Sequence, residues 1–567
     1  MNHGHHHARH HAHANVVEAV SADVVIIGAG VAGGLAAYQL ARYGHSVIVL
    51  DAGPRIDRVE ALERFRASPV KGSNAPYENP WYAPQPEDDD FDSYYVQAGP
   101  RKFQGLYVRG VGGTSWHWTG HAERHYPNDF QMKTAYGKGV DWPISYSDIL
   151  PYYLRVEQEW GVSGDSADYI GPNRNGEMFP LPKVPMSYSD HVLGEAARNA
   201  AFTPALDYGP YPHARNSVPY DGRPQCCGNA SCRFLCPIAA KYDASVHVTK
   251  AEQLGARVMD KRVAYRIEVG DDHMISGVLY RHPDGWEGRA TGKRYILAAH
   301  AIETPKLLLI SRSERLPKGV ANSSEKVGRG LIALADVNTL ALAPKATFPY
   351  RGPVSATGGL KSLRDGEFRK EHAAIATNFV NGGWNATLGP AQRAQTLISQ
   401  GVFGADLART LEEQTAREIT LGSMVDVLPL ETNYIDADYS KRDALGIPRP
   451  KVYFTWDEYT EKGIAVARQM HTAILRSLGI EEKDEKAAQV QRPDPDVETA
   501  VIAGTTRMGS DPRTSVVDSF CRAHDHPNLY IIGTGVYPTT GIVSPSMTAA
   551  ALALRAADQI HANAGQG

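Results

Sequence analysis

The sequence predicts an α/β protein, a doubly wound parallel sheet joined to a second, sheet-based domain. Three observations carry this. An apolar β-branched run broken by spaced glycines opens the ordered part of the chain. Buried strands at Tyr295–Ala299 and Asn528–Gly535 return to that pattern further on. Residues 336–499 between them are less patterned, with strand signals at Lys451–Trp456 and a helix over Glu458–Leu478. At 567 residues the chain is long enough to bury a large core and hold two domains.

The first element is the strand Ala22–Ile27 followed by Gly28, Gly30 and Gly33, then a helical pattern from Leu35 to Tyr43. The first glycine permits a tight turn, the second lets a pyrophosphate approach the backbone, and the third lets the helix pack on the strand. Free N–H groups at the helix start then face the phosphates. A second strand, Ser46–Leu50, ends at Asp51, an acceptor at the distance a ribose hydroxyl requires. This is a dinucleotide-binding turn that does not separate NAD from FAD.

Composition excludes several classes. The formal net charge is −4 and 42% of residues are hydrophobic, so no basic surface argues for nucleic acid. No apolar stretch is long enough to cross a bilayer, and residues 1–19 lack the apolar core and twin arginine of a signal peptide. That segment, rich in histidine, reads as a disordered solvated tail.

From Ser68 to Tyr95 a stretch rich in Pro, Asp and Tyr reads as a long surface excursion. It leads to Tyr107-Val-Arg-Gly110-Val-Gly112-Gly113-Thr114-Ser115-Trp116-His117-Trp118, where adjacent glycines and hydroxyl residues offer donors to a second phosphate region or a flavin edge. Four of the five cysteines then fall between 226 and 236, as Cys226-Cys227-Gly-Asn-Ala-Ser-Cys232-Arg-Phe-Leu-Cys236-Pro237. The ending Cys-x3-Cys-Pro matches the close of a ferredoxin-type ligand run. Two disulfides in one tight loop are geometrically awkward, and zinc lacks its usual paired spacing, so an iron–sulfur cluster leads, with zinc and disulfides as the alternatives. Cys521 stands alone and reads as a buried thiol.

Beyond the cysteines, Arg262–Val269 and Ile275–Tyr280 alternate as antiparallel strands, and Tyr295–Ala299 feeds a helix over Glu303–Ser311 with Pro305 in its first turn. Near the end, Asn528–Gly535 is a short buried strand whose glycine turn, Gly533-Thr534-Gly535, returns to the cofactor. Ser544 and Pro545 read as N-cap and first residue of a C-terminal helix.

Taken together, these segments resemble the glucose-methanol-choline (GMC) family of FAD oxidoreductases, over nearly the whole chain beyond the tail. The form Thr114-Ser115-Trp116-His117-Trp118 is similar to its pyranose oxidase and bacterial sugar dehydrogenase branch. The resemblance implies a Rossmann-like FAD-binding domain of the GMC type (residues 20–130, 215–335 and 500–567, with the cysteine loop at 226–237) and a substrate domain (131–214 and 336–499). It implies FAD held by Gly28, Gly30, Gly33, Asp51, Gly112, Gly113, Thr114, Gly533 and Thr534, with the Val263 backbone at the adenine and an 8α-histidyl bond from His117. It implies a [3Fe–4S] cluster on Cys226, Cys232 and Cys236, with Cys227 spare. The expected reaction is oxidation of a sugar or polyol CH–OH, with electrons leaving singly through the cluster to a cytochrome c subunit. A small subunit exporting the complex would place it in the periplasm or on the membrane surface, and without such a partner it would be cytoplasmic.

The chain departs from the family pattern where chemistry is done. The segment beginning Val327-Gly328-Arg329-Gly330-Leu331 continues into Ala333 and Leu334 where relatives have Asp-His. The catalytic histidine that precedes Gly504-Thr505 by three residues is Val501, and the second family residue, an asparagine or histidine, is Ser544. A valine accepts no proton. By side-chain chemistry alone His121, His125 and His300 are substitute candidates. An electron-transfer or assembly paralogue that has lost alcohol oxidation is the alternative reading. A nicotinamide-dependent dehydrogenase would account for the first glycine motif but not for the cysteines.

Overall fold

A mainly parallel sheet and a separate antiparallel sheet make up most of the fold, as the expected fold class requires. The computed structural model describes residues 16–564 apart from 70, 88–89, 230, 354–355, 383–389, 481–489 and 492–495. In the first sheet, Val16–Ile27 lies between Val47–Leu50 and Glu287–Leu297, parallel to both, and Arg257–Met259 extends the edge beyond Val47–Leu50. Val24, Val25 and Ile26 are fully buried, worth about 1.5–3 kcal/mol each. The long strand Glu287–Leu297 is forked along its other side. Its first half pairs antiparallel with Ile275–Arg281, and its last three residues pair parallel with Leu529–Ile531. The two parallel strands Glu287–Leu297 and Leu529–Ile531 therefore deliver their following turns to the end of the sheet where Gly28 sits.

Helix Val31–Arg42 packs against the C-terminal helix Ser546–Ala562, and the Tyr43 hydroxyl donates to Asp558 at 2.8 Å. The helix after Glu287–Leu297 begins at His300, earlier than its sequence suggested, so Pro305 lies inside it. The proline has no N–H for the carbonyl of Ala301 one turn back. The Thr505 hydroxyl supplies that missing donor at 2.7 Å. The C-terminal helix differs too. Pro545, in helical geometry, occupies its N-cap position, and no side chain caps it, so Ser544 does not serve as the expected cap.

The second sheet is antiparallel, in the order Tyr208–Pro210, Gly358–Leu360, Ile375–Phe379, Glu418–Val425 and Ile332–Leu342. Its far edge is Asp496–Ala503, which runs into Gly504 and Thr505. Helix Glu458–Ser477 packs on it, and buried His471 bridges Thr339 Oγ1 (2.8 Å) and Ser423 Oγ (2.7 Å) of neighbouring strands. The strand expected at Lys451–Trp456 is Pro448–Tyr453 and belongs to a small third sheet with Tyr434–Arg442 and Val96–Gln97. Among the described residues no helix is long and apolar enough to cross a membrane.

Candidate active site

A cavity of about 210 Å³ runs along the glycine end of the parallel sheet. Gly28, Gly30, Asp51, Gly113, Thr114, Gly533 and Thr534 line it. The remaining predicted residues stand behind the wall. Gly33 backs the first turn, Gly112 precedes Gly113, and Val263 is buried between the lining residues Arg262 and Ala264. The two glycine turns touch: the Gly112 N–H donates to the Ala29 carbonyl at 2.9 Å.

Packing distinguishes the glycines. A Cβ on Gly33 would lie 1.9 Å from the Gly28 carbonyl oxygen, so this position has no room for any side chain. A Cβ on Gly30 would meet nothing within 4 Å although the residue lines the cavity. The backbone there is bare toward open space, the cradle that an approaching pyrophosphate needs. Gly533, at φ +105°, is equally unobstructed. These residues fit FAD.

Asp51 does more than wait for a ribose. Its two oxygens accept the Ala29 N–H (2.8 Å) and the Gly53 N–H (3.0 Å), which fixes the first turn while the carboxylate lines the cavity. Burial pushes its pKa up against those two donors. Sequence reasoning missed a second polar group in the wall. Glu303 accepts from the hydroxyls of Tyr94 and Tyr107 and from Lys306, with Arg109 at 3.7 Å. Burial disfavours this carboxylate, but Lys306 and Arg109 outweigh burial and hold it well below the usual range. Arg109 stands just ahead of the Gly110–Gly113 run, the one signal that could have found it.

His117 does not line the cavity but lies between Trp116 and the lining residue Trp118. Its Nδ1 is buried with no hydrogen-bond partner among the described residues, an orphan consistent with a covalent attachment. Burial, helped by nearby Lys241, lowers its pKa to about 3, so the ring is neutral. Buried Lys241 joins this turn to the cysteine loop. Its Nζ donates to the carbonyls of Trp116 (3.1 Å), Trp118 (2.6 Å) and Cys232 (2.8 Å), and its own N–H points at Cys236 Sγ at 3.4 Å. Arg58 closes the same interface, donating to the Cys236 carbonyl (2.8 Å) and lying over the Trp116 ring.

All five cysteines are free thiols, and Cys232, Cys236 and Cys521 are buried. Cys226 meets Cys232, and Cys232 meets Cys236, whereas Cys227 is exposed and joins neither contact. Cys226, Cys232 and Cys236 thus follow one another as a chain, and among the described residues they are not drawn into a closed metal-binding set. Three soft thiols on one loop are nonetheless the donors an iron–sulfur cluster requires.

Val501 is buried in an apolar patch with Leu334, Ala374, Ala376 and Ile542, so no proton acceptor stands at the family's base position. The residues around it, Ala500 and Ile502, line the cavity, as do Pro545 and Ser546 after Ser544. Of the substitute histidines, His125 has both ring nitrogens engaged, with Thr548 Oγ1 and the Thr540 carbonyl at 2.6 Å each. His121 is stacked on Tyr211 and bonded through Nε2 to the Ala356 carbonyl (2.9 Å). His300 lines the cavity, stacked on Tyr107, its pKa lowered to about 4 by burial.

A family model described as GMC oxidoreductase matches residues 429–553, and one described as FAD dependent oxidoreductase matches residues 23–61. Over 96% of its length the chain is 36% identical to the fructose dehydrogenase large subunit of Gluconobacter japonicus, covering 98% of that protein. It is 28% identical to 2-methyl-1,2-propanediol dehydrogenase of Mycolicibacterium austroafricanum, over 95% of both chains. Among solved structures, pyridoxine 4-oxidase from Mesorbium loti superposes with a TM-score of 0.63 at 16% identity, covering 95% of this chain and 99% of that one. The glycine cradle and this full-length similarity lead to one conclusion: the chain belongs to the GMC oxidoreductase family, FAD-dependent enzymes acting on CH–OH donors.

Proposed function

We propose that this chain is the flavoprotein subunit of a sugar or polyol dehydrogenase that passes electrons through an iron–sulfur cluster to a cytochrome-type acceptor. The observation that carries the reading is the Lys241 bridge, which ties the Trp118 wall of the cavity to the Cys232 loop through one buried ammonium. The similarity over nearly its whole length to a protein named as a fructose dehydrogenase large subunit supports both the substrate class and the presence of partner subunits.

In this reading Gly28, Gly30, Gly113, Thr114 and Gly533 seat FAD, with His117 as its covalent anchor and the Val263 backbone at the adenine. Bound flavin supplies the two-electron acceptor for a CH–OH carbon. Cys226, Cys232 and Cys236 would hold a [3Fe–4S] cluster, which supplies one-electron transfer, and Cys227 is spare. Buried apolar side chains, Trp116, Tyr77 and Leu235, pack between the Trp116–Trp118 turn and the cysteine loop. A small subunit and a cytochrome c subunit complete the complex, on the periplasmic face of the membrane.

The test is anaerobic stopped-flow bleaching of the flavin with fructose, glucose, sorbitol and gluconate, followed by transfer to cytochrome c. Bleaching by one of these donors is the expected result. A flavin bleached by dithionite but by no CH–OH donor would identify the electron-transfer or assembly paralogue instead.

A further inference from the structure

We propose that Glu123 is the general base of alcohol oxidation in this chain, its Oε2 taking the hydroxyl proton that a histidine takes where Val501 stands. The proposal rests on the CH–OH reading above.

With position 501 inside an apolar patch, the base must come from another segment. Glu123 touches position 544 directly and is tied to the segment packed on position 501 through Arg364. Its Oε2 accepts the Ser544 N–H at 3.1 Å. Its Oε1 accepts from Arg364 Nη1 at 2.8 Å, and the same Nη1 donates to the carbonyl of Ile542, which packs on Val501. The cavity wall passes on either side of position 501, through Ala500 and Ile502, and directly after position 544, through Pro545 and Ser546.

The carboxylate is also held as a base must be. Arg364, buried and bonded on to the Tyr211 hydroxyl, fixes its plane through Oε1. Oε2 carries one hydrogen bond and keeps a lone pair for a hydroxyl. Burial raises the carboxyl pKa toward the range that suits a base near neutrality, although Arg364 and the Ser544 N–H moderate the shift. The other ionisable groups facing it are Tyr126 and Tyr211, with His121 stacked on Tyr211, and burial drives both phenols far above neutrality. His125, by contrast, has no free nitrogen.

The step balances simply. The O–H proton passes to Oε2 and makes a carboxylic acid, the C–H hydrogen leaves with its electron pair to the oxidised flavin the family binds, and the carbon–oxygen bond becomes a carbonyl.

The experiment measures anaerobic flavin reduction against pH in wild type, Glu123→Gln and Glu123→Asp, with fructose, glucose, sorbitol and gluconate. Flavin content and dithionite bleaching serve as controls for folding. Glu123→Gln should slow reduction by about 10²- to 10⁴-fold and lose the acid limb of the rate profile, while Glu123→Asp keeps that limb at a reduced rate. Infrared difference spectra of wild type should gain a protonated-carboxyl band on reduction by substrate, absent in Glu123→Gln. A Glu123→Gln rate within threefold of wild type, or a wild type with neither acid limb nor carboxyl band, overturns the proposal and leaves the dehydrogenase reading standing. A wild type that dithionite bleaches and no CH–OH donor does overturns the reading itself, and the proposal with it.

Discussion

The Ser544 N–H donates to Glu123 Oε2 across 421 positions of sequence. The contact puts a carboxylate against the position where relatives carry an asparagine or histidine side chain, and it does so through the serine's backbone.

The Val501 patch makes a direct prediction. Restoring the family histidine by Val501→His pushes a polar ring among Leu334, Ala374, Ala376 and Ile542. Burying the imidazole without a partner costs about 1–3 kcal/mol. Thermal unfolding should show the loss as a drop of several degrees, with no gain in the rate of flavin reduction.

Two glycines of one motif should fail in different ways. Gly33→Ala places a methyl 1.9 Å from the Gly28 carbonyl oxygen and should destabilise the fold by about 3 kcal/mol. Gly30→Ala meets no protein atom within 4 Å, so the apoprotein should melt as wild type does. Its methyl lies where the cofactor approaches, and FAD affinity should fall by about 5- to 150-fold, equivalent to about 1–3 kcal/mol. Calorimetry of apoprotein and flavin titration separate the two.

Cysteine replacements should sort by contact. On the proposed cluster assignment, Cys226→Ser, Cys232→Ser and Cys236→Ser should each lose iron and acid-labile sulfide, whereas Cys227→Ser, at the exposed thiol outside the chain of contacts, should retain both. Iron and sulfide determination on anaerobically purified protein is the check.

Acid stability should turn in part on His471. Burial lowers its pKa from 6.5 to about 3 while both ring nitrogens bond to Thr339 and Ser423. Below pH 6.5 the unfolded chain takes up a proton that the folded chain refuses, so stability falls as pH drops from about 6.5 toward 3. The group's share is on the order of 4 kcal/mol. His471→Asn should be less stable than wild type at pH 7, and the gap should close toward pH 4 in urea unfolding curves.

The sequence was readable wherever a local rule governs geometry. Glycines at turns, the buried strands and the spacing of Cys226, Cys232 and Cys236 are properties of short segments. Glu123 and Arg364 were invisible because they act on partners far away in the chain, and Lys241 because its reach to Trp116 and Trp118 spans more than a hundred residues; nothing in their neighbourhood distinguishes a buried charge from a solvated one. The start of the helix at His300 was hidden for the same reason, since Thr505 satisfies the carbonyl that Pro305 leaves open. The Ser544 cap failed because its neighbour Pro545 already has helical geometry.

The packing of Val31–Arg42 against Ser546–Ala562 sets a timetable for the molecule's birth. Tyr43 and Asp558 are 515 residues apart, and both Gly30 and Ala549 line the cavity. At ~5–20 residues per second the ribosome needs roughly 25 to 100 s between making one wall and the other. The nascent chain carries its first glycine turn through that interval without a closed pocket. Cofactor capture therefore waits until both segments have been made and packed, and a chain lacking Ser546–Ala562 lacks one wall of the pocket.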